Sequence, residues 1–333
     1  MKIKLNLFFA LSLLGAFATD SVASETGSTN ISNQANKQIA YCKFFEELLK
    51  INELKLSDKE LSEKINETIN KYGINVKDEL FDEYFISFVG MEEISTEIIS
   101  YLIKVGVNVN SRYKGIIDFS NSSIIAVSVM EMLHEYLIDI TPIMVAVLSE
   151  DVKKVELLIQ NGADVNARIN SLENPRFGAS VLFMVTQFKY GEIKKTAKII
   201  DMLIKAGANA NVADHLGNTP FMNACENNNL LVCNLLTKCD VDINAQNKDG
   251  KTALIKVYDV LKSHDEIYSS TLTDAQKDVF WIKKTKTSLK TYDYLINSGA
   301  NINIKDKQDH NGFISLEERS AIENKIEQLS KES

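Results

Sequence analysis

One short phrase keeps returning along this chain. Gly162-Ala163-Asp164-Val165-Asn166-Ala167 recurs as Gly207-Ala208-Asn209-Ala210-Asn211 and as Gly299-Ala300-Asn301-Ile302-Asn303. Asp240-Val241-Asp242-Ile243-Asn244-Ala245 has Asp in place of the leading Gly, Val107-Asn108-Val109-Asn110 follows Gly106, and Gly73-Ile74-Asn75-Val76 is a weaker copy. Positions 73 and 106 lie 33 residues apart, as do 207 and 240, and the other intervals are 56, 45 and 59. A period of this size constrains the fold more than any composition does. Each copy is one supersecondary unit whose apolar face can be buried only against a neighbouring copy.

A second phrase stands at a fixed distance from the first. It reads Thr141-Pro142-Ile143, Thr219-Pro220-Phe221 and Thr252-Ala253-Leu254, with a degraded Ser180-Val181-Leu182, and it holds two of the 3 prolines in the chain. Thr at a helix start accepts orphan N–H groups of the first turn, and Pro after it has its φ preset and no N–H to leave unpaired. Gly after the second helix takes the left-handed cap. Val155, Leu157, Leu158 and Ile159, then Ile200, Leu203 and Ile204, then Leu231, Leu235 and Leu236 supply apolar helix faces. From Thr to loop position is 21 residues in two copies, and from loop to the next Thr is 12 in two copies. The excess length then falls as 23 residues between 106 and 141, 26 between 252 and 299, and 6 on either side of Ser180.

With both phrases in place, the sequence resembles the ankyrin repeat family, whose pattern runs D-x-x-G-x-T-P-L-H-x-A, an apolar helix, then G-A-D-V-N. Asp214-His215-Leu216-Gly217-Asn218-Thr219-Pro220-Phe221-Met222-Asn223-Ala224 follows it closely, and Asn247-Lys248-Asp249-Gly250-Lys251-Thr252-Ala253-Leu254 follows with Asn for Asp and Ala for Pro. The family's His is replaced by Met144, Phe183, Met222 and Ile255, so the inter-repeat hydrogen bonding it supplies is not expected from these positions. The resemblance implies an all-α ankyrin-repeat solenoid of stacked helix-turn-helix units with short finger loops, about five repeats plus capping helices. A tetratricopeptide stack, the alternative helical array, lacks the G-A-D-V-N fingers.

The resulting layout has a signal peptide over 1–23, a flexible lead-in over 24–37 and an ankyrin-repeat domain over 38–333. Within that domain a degenerate N-terminal cap occupies 38–76, with helices at Ala40 to Ile51 and Leu56 to Tyr72. Repeats follow at about 77–110, 138–167, 178–211, 214–245 and 247–305, and a C-terminal cap at 306–333 contains a polar helix from Ser315 to Leu329. Insertions are placed at about 113–135, read as an added helix, and 262–288. The signal rests on Lys2 and Lys4, an apolar run from Leu5 to Phe17, and small residues at plausible cleavage points. That run is too short for the roughly 20 residues of a membrane span. Only 3 prolines and 14 glycines disfavour an all-β sandwich, and a net charge of −8 disfavours nucleic-acid binding.

The motifs of catalysis are missing. His134-Glu135 is followed by Tyr-Leu-Ile rather than completing H-E-x-x-H, there is no G-x-x-x-x-G-K-[ST] loop, and no C-x-x-C pair exists. No catalytic residue, metal ligand or cofactor is expected. Cys225 and Cys233 are expected on helix faces as small hydrophobes, with a disulfide after export as the alternative, and Cys42 has no evident partner. What remains is a binding surface. Transferred by register from the resemblance, the finger tips and exposed first-helix positions are Arg168, His215, Leu216, Asn218, Asn223, Glu226, Asn227, Lys248, Lys251 and Lys256. Phe280 and Trp281, within Val279-Phe280-Trp281-Ile282-Lys283-Lys284, are added as aromatic hot-spot candidates in the second insertion. Their competing role is to cover the stack beneath. The expected function is an exported, non-enzymatic scaffold, periplasmic or secreted, that binds a protein partner, a host protein if the source is an intracellular bacterium. The alternative is a self-assembling structural protein of the cell envelope.

Overall fold

A computed structural model of the chain describes residues 29–114, 138–172, 176–186, 193–263 and 274–332. The signal segment and the added helix expected over 113–135 lie outside the described residues, apart from Tyr113 and Lys114. Among the described residues there are thirteen α-helices, and β-pairing is confined to two isolated bridges, Arg168 with Ser180 and Lys305 with Asn311. The fold class is therefore all-α, and all but the last of the helices come in consecutive pairs. The chain divides into two compact units, Met1–Val181 with Lys205–Gly207, and Leu182–Ile204 with Ala208–Ser333.

The first unit holds α1 (Thr29–Glu53), α2 (Asp58–Tyr72), α3 (Glu79–Val89), α4 (Thr96–Lys104), α5 (Pro142–Leu148) and α6 (Val152–Gln160). Helix α3 packs between α1 and α5, and α4 packs between α2 and α6, so first helices form one layer and second helices the other. The ends follow local chemistry. Ser57 and Glu60 close a capping box at the start of α2, and Gly73, at φ 62, closes its end. Helix α1 begins eleven residues before the expected Ala40, so part of the expected flexible lead-in is helical. Lys37 on this stretch pairs with Asp78, and Gln38 is buried. Tertiary contacts thus hold a segment whose small polar residues favour helix only weakly.

The core of this unit is aromatic. Phe44 and Phe45 from α1 meet Phe81, Tyr84 and Phe88 from α3, and these rings, like that of Phe85, are almost fully buried. Phe45 is the hub: it stacks on Tyr84 at 5.4 Å between centroids and meets Phe88 edge-on at 4.9 Å. The Cys42 thiol, which the sequence leaves without an evident partner, lies 2.9 Å from the Tyr84 hydroxyl. Lys154 on α6 is 1% exposed. Its ammonium donates to the carbonyls of Met91 and, at 3.1 Å, Val89, and so caps the C-terminal end of α3 with a positive charge.

The second unit contains most of α7 (Val181–Val185) and α8 (Ile193–Lys205), then α9 (Pro220–Glu226), α10 (Leu230–Leu236), α11 (Ala253–Ser263), α12 (Asp274–Asn297) and α13 (Leu316–Glu332). Helix α9 packs on α10 and α11, α11 on α12, and α12 on α13. Thr219 Oγ1 accepts the Met222 N–H at 3.2 Å and Thr252 Oγ1 accepts that of Ile255 at 3.3 Å, as the Thr-Pro phrase requires. Thr141 precedes Pro142 at the start of α5 in the same way, but its side chain makes no capping bond. The positions that replace the family's His are filled by apolar side chains: Met144, Phe183, Met222 and Ile255 are all buried. Of the second insertion, 264–273 lies outside the described residues, and from Asp274 onward the rest lengthens the second helix of its repeat into α12.

The recurring Asn of each finger has a structural task. Asn110 Nδ2 donates to the Gly162 carbonyl at 3.0 Å while its Oδ1 accepts the Asp164 N–H at 2.7 Å. Asn166 Nδ2 reaches Gly207 O at 3.0 Å. Asn211 repeats the pattern on Asp240 O and Asp242 N, both at 3.1 Å, and Asn244 on Gly299 O at 3.3 Å and Asn301 N at 2.8 Å. Asp240 stands where the loop Gly is expected and takes φ 53, a left-handed conformation that Asp tolerates. The fingers are thus tied to one another by carboxamides.

Candidate binding surface

The candidate surface is built on tight turns. Asp214 Oδ1 accepts the N–H groups of Leu216 at 2.9 Å and Asn218 at 2.8 Å, closing a turn that presents His215 and Leu216 at its tip. Asn247 Oδ1 does the same for Asp249 and Lys251, at 3.0 and 2.9 Å, and presents Lys248. A third turn was missed by the sequence reading. Asp306 Oδ1 accepts from Gln308 at 2.8 Å and His310 at 2.9 Å, with Asp309 at φ 66 where the other two turns have Gly. Its signal was the D-x-x-D-x spacing, readable once Asp is allowed at a left-handed position. The turns stack through the main chain: Lys248 N–H donates to Leu216 O and Lys307 N–H to Asp249 O, each at 2.9 Å. Gly217 is required here, since a Cβ would lie 2.8 Å from the Lys248 nitrogen and its φ is +81.

Behind the turns, α9 and α11 present a polar face. Lys256 Nζ lies 3.0 Å from both Asn218 Oδ1 and Glu226 Oε2. Asn218 Oδ1 also accepts from Asn247 Nδ2 at 2.9 Å. Asn223 Nδ2 donates to Thr186 Oγ1 at 2.5 Å, and Asn227 Nδ2 to Asn223 O at 3.0 Å. Lys251 pairs with Asp259 at 2.6 Å, and that bond holds its ammonium above the usual lysine range. Lys262 pairs with Glu318 of α13 at 2.7 Å and lies over the Tyr258 ring at 5.3 Å. Positive and negative groups alternate and are prepaired, so the face can recognise a partner by hydrogen bonds and ion-pair exchange. Asp259, Tyr258 and Lys262 were not singled out from sequence, although Asp259 is at helical spacing from Lys256.

Nine of the twelve candidates, His215, Leu216, Asn218, Asn223, Glu226, Asn227, Lys248, Lys251 and Lys256, stand on these turns and helices of the second unit. Leu216 and Lys248 are exposed, and the others except Asn218 are half-buried. Asn218 departs from its expected exposure: it is 8% exposed and its carboxamide is spent on internal partners. Arg168 belongs to the first unit, is exposed, and donates from Nε to Gly178 O at 3.2 Å. Trp281 departs from the hot-spot expectation. It is 5% exposed on α12, with the Lys325 ammonium of α13 over its ring at 4.5 Å. It is thus buried beneath α13 rather than offered at the surface. The side chain of Phe280 lies outside the described residues. Among those residues, no group of three or more His, Cys, Asp or Glu side chains could hold a metal ion.

Comparison with known proteins agrees with this geometry. A family model described as ankyrin repeats in 3 copies matches residues 190–264, and one described as a single ankyrin repeat matches 139–170. The chain thus carries ankyrin repeats. It is 30% identical over 164 residues to an ankyrin repeat protein of Acanthamoeba polyphaga mimivirus, which covers 48% of this chain and 22% of that protein. It is 31% identical over 98 residues to rabankyrin-5 of Mus musculus, covering 29% of this chain and 8% of that protein. The human rabankyrin-5 is 29% identical over 118 residues, covering 35% and 10%. The chain therefore spans less than a quarter of the length of these relatives.

Proposed function

We propose that this chain is a non-enzymatic scaffold that binds a protein partner through the turns and helix faces of its second unit. The observation that carries the reading is the prepaired face of Asn223, Glu226, Lys256 and Asp259 on two neighbouring first helices, with Asn227 at the C-cap of α9 and Lys251 in the turn before α11. A rigid repeat array holds such groups in place before the partner arrives, so little ordering cost remains on binding. In this reading residues 1–23 export the chain, and the partner is met in the periplasm, in the medium or in a host cell. Leu216, half exposed at a turn tip, is the apolar contact of the face.

The test is capture from lysates of the source organism and of any host, using the chain from residue 24. A partner that is retained by the unaltered chain and lost by a Glu226→Arg, Lys251→Glu variant of unchanged circular dichroism places binding on this face. Retention by that variant moves the site elsewhere. Homotypic assembly is a second reading, favoured by Phe313 and Leu316, 48% and 83% exposed near the start of α13. An unchanged mass across a concentration series in light scattering would remove it.

A further inference from the structure

We propose that Cys225 and Cys233 close a disulfide inside a single repeat. Cys225 stands in the last turn of α9 and Cys233 in the middle of α10, the two helices of one pair. Their sulfurs lie 3.1 Å apart, and each is 0% exposed. A disulfide bond is about 2.05 Å long, so roughly 1 Å of approach remains, within reach of small rotations about the two Cα–Cβ bonds. The other two cysteines are engaged elsewhere: Cys42 with the Tyr84 hydroxyl, and Cys239 with the Leu235 carbonyl at 3.3 Å. The surroundings are apolar, with Met222, Ala224, Val232 and Leu236 all buried. Burial pushes the Cys225 thiol well above its ordinary range, and an oxidant reaches neither buried residue while the repeat is closed, so exchange goes through its local opening.

The chemistry needs an oxidant of the small-disulfide class, RSSR. One cysteine thiolate attacks a sulfur of RSSR, releases RS⁻, which takes up a proton, and leaves a mixed disulfide. The second thiolate attacks the protein sulfur of that mixed disulfide and releases the second RS⁻. Two electrons and two protons pass to the oxidant, giving two RSH, and the two chain sulfurs share one bond. The bond joins residues only eight apart and staples α9 to α10, which fixes the helix that carries Asn223 and Glu226.

The test uses the full chain in a buffer of oxidised and reduced glutathione, with urea below the unfolding midpoint to open the repeat. Samples are acid-quenched, unfolded, alkylated, digested and weighed. The expected product is one linked pair of peptides carrying Cys225 and Cys233, lighter by two hydrogens, with Cys42 and Cys239 alkylated. The link is absent in Cys225→Ser. The linked chain should favour the folded state by roughly 10- to 100-fold over the reduced chain in urea titrations. Alkylation of both Cys225 and Cys233 after this treatment, or a link from either one to Cys42 or Cys239, would overturn the proposal.

Discussion

The helices α1 to α3 and the segment from Asp214 to Lys256 are built on opposite principles. The first region has no Thr-Pro start or ankyrin-like turn, and its stability rests on interlocked rings around Phe45. The second buries smaller side chains, and its specificity comes from turns, caps and carboxamides: Asp214, Asn218, Thr219 and Asn247 each close a backbone or side-chain bond. The difference teaches where a repeat can drift. A helix pair can lose the repeat's polar signature where bulk apolar burial replaces it, as in α1 to α3. Where the signature is kept, neighbouring pairs are matched through fixed turns.

The largest expected effect tests the aromatic half of this comparison. Phe45→Ala removes the hub ring, and truncating a buried Phe costs about 3–5 kcal/mol. Urea unfolding followed by circular dichroism should show that loss, and Phe45→Leu should recover more than half of it. A cost of under about 1 kcal/mol would break the comparison, because burial would then not be what holds α1 to α3.

The amide half predicts a smaller but distinct effect. Asn218→Ala leaves Lys256 and the Asn247 carboxamide short of a partner behind the turn. Losing one partner of a buried hydrogen-bonded group costs about 1–3 kcal/mol. Hydrogen exchange should locate the loosening in the turns at Asp214 and Asn247, while peptides from α1 to α3 keep their protection. Uniform loss of protection across the chain would contradict this division of labour.

Legibility in the sequence follows the same division. The second region was readable because a left-handed Gly, an Asx turn and a Thr-Pro cap depend on a few local residues with few alternatives. The turn at Asp306 escaped notice because Asp309 does the work of Gly. Lys154 escaped because nothing local marks a lysine whose ammonium caps a helix formed more than sixty residues earlier. Trp281 reads as exposed aromatic material until α13, distant in sequence, is seen to cover it. Among the candidate residues, register placed Asn223, Glu226 and Lys256 on the expected helices and Asn227 at the end of one. It could not tell that Asn218 faces inward, because burial there is set by Asn247 and Lys256 together. The beginning of α1 was hidden for the same reason, since Lys37 and Gln38 are fixed by tertiary partners.

The smallest effect sharpens the comparison by pH. The buried side chains of Asn218 and Asn247 are themselves neutral amides, whereas α3 carries a half-buried carboxyl, Asp82, with Oδ1 lacking a hydrogen-bond partner among the described residues. Burial, followed by the negative charge of Glu79, pushes Asp82 from 3.8 up to about 6. Asp78 and Glu83 add to the rise, and Lys114 opposes it. The folded state therefore holds this proton more tightly than the unfolded chain does. Its contribution to stability is fully present below pH 3.8 and is lost as pH rises through about 6. Because the group is about half exposed, screening reduces the effect to about 1 kcal/mol. Asp82→Asn should leave stability near pH 4 almost unchanged, raise it by about that amount at pH 7 to 8, and flatten the slope between. Urea midpoints taken at half-unit pH steps would show this. An Asp82→Asn chain that keeps the unaltered chain's slope would mean that the titration belongs to another group, and that the aromatic region is no more pH-sensitive than the amide one.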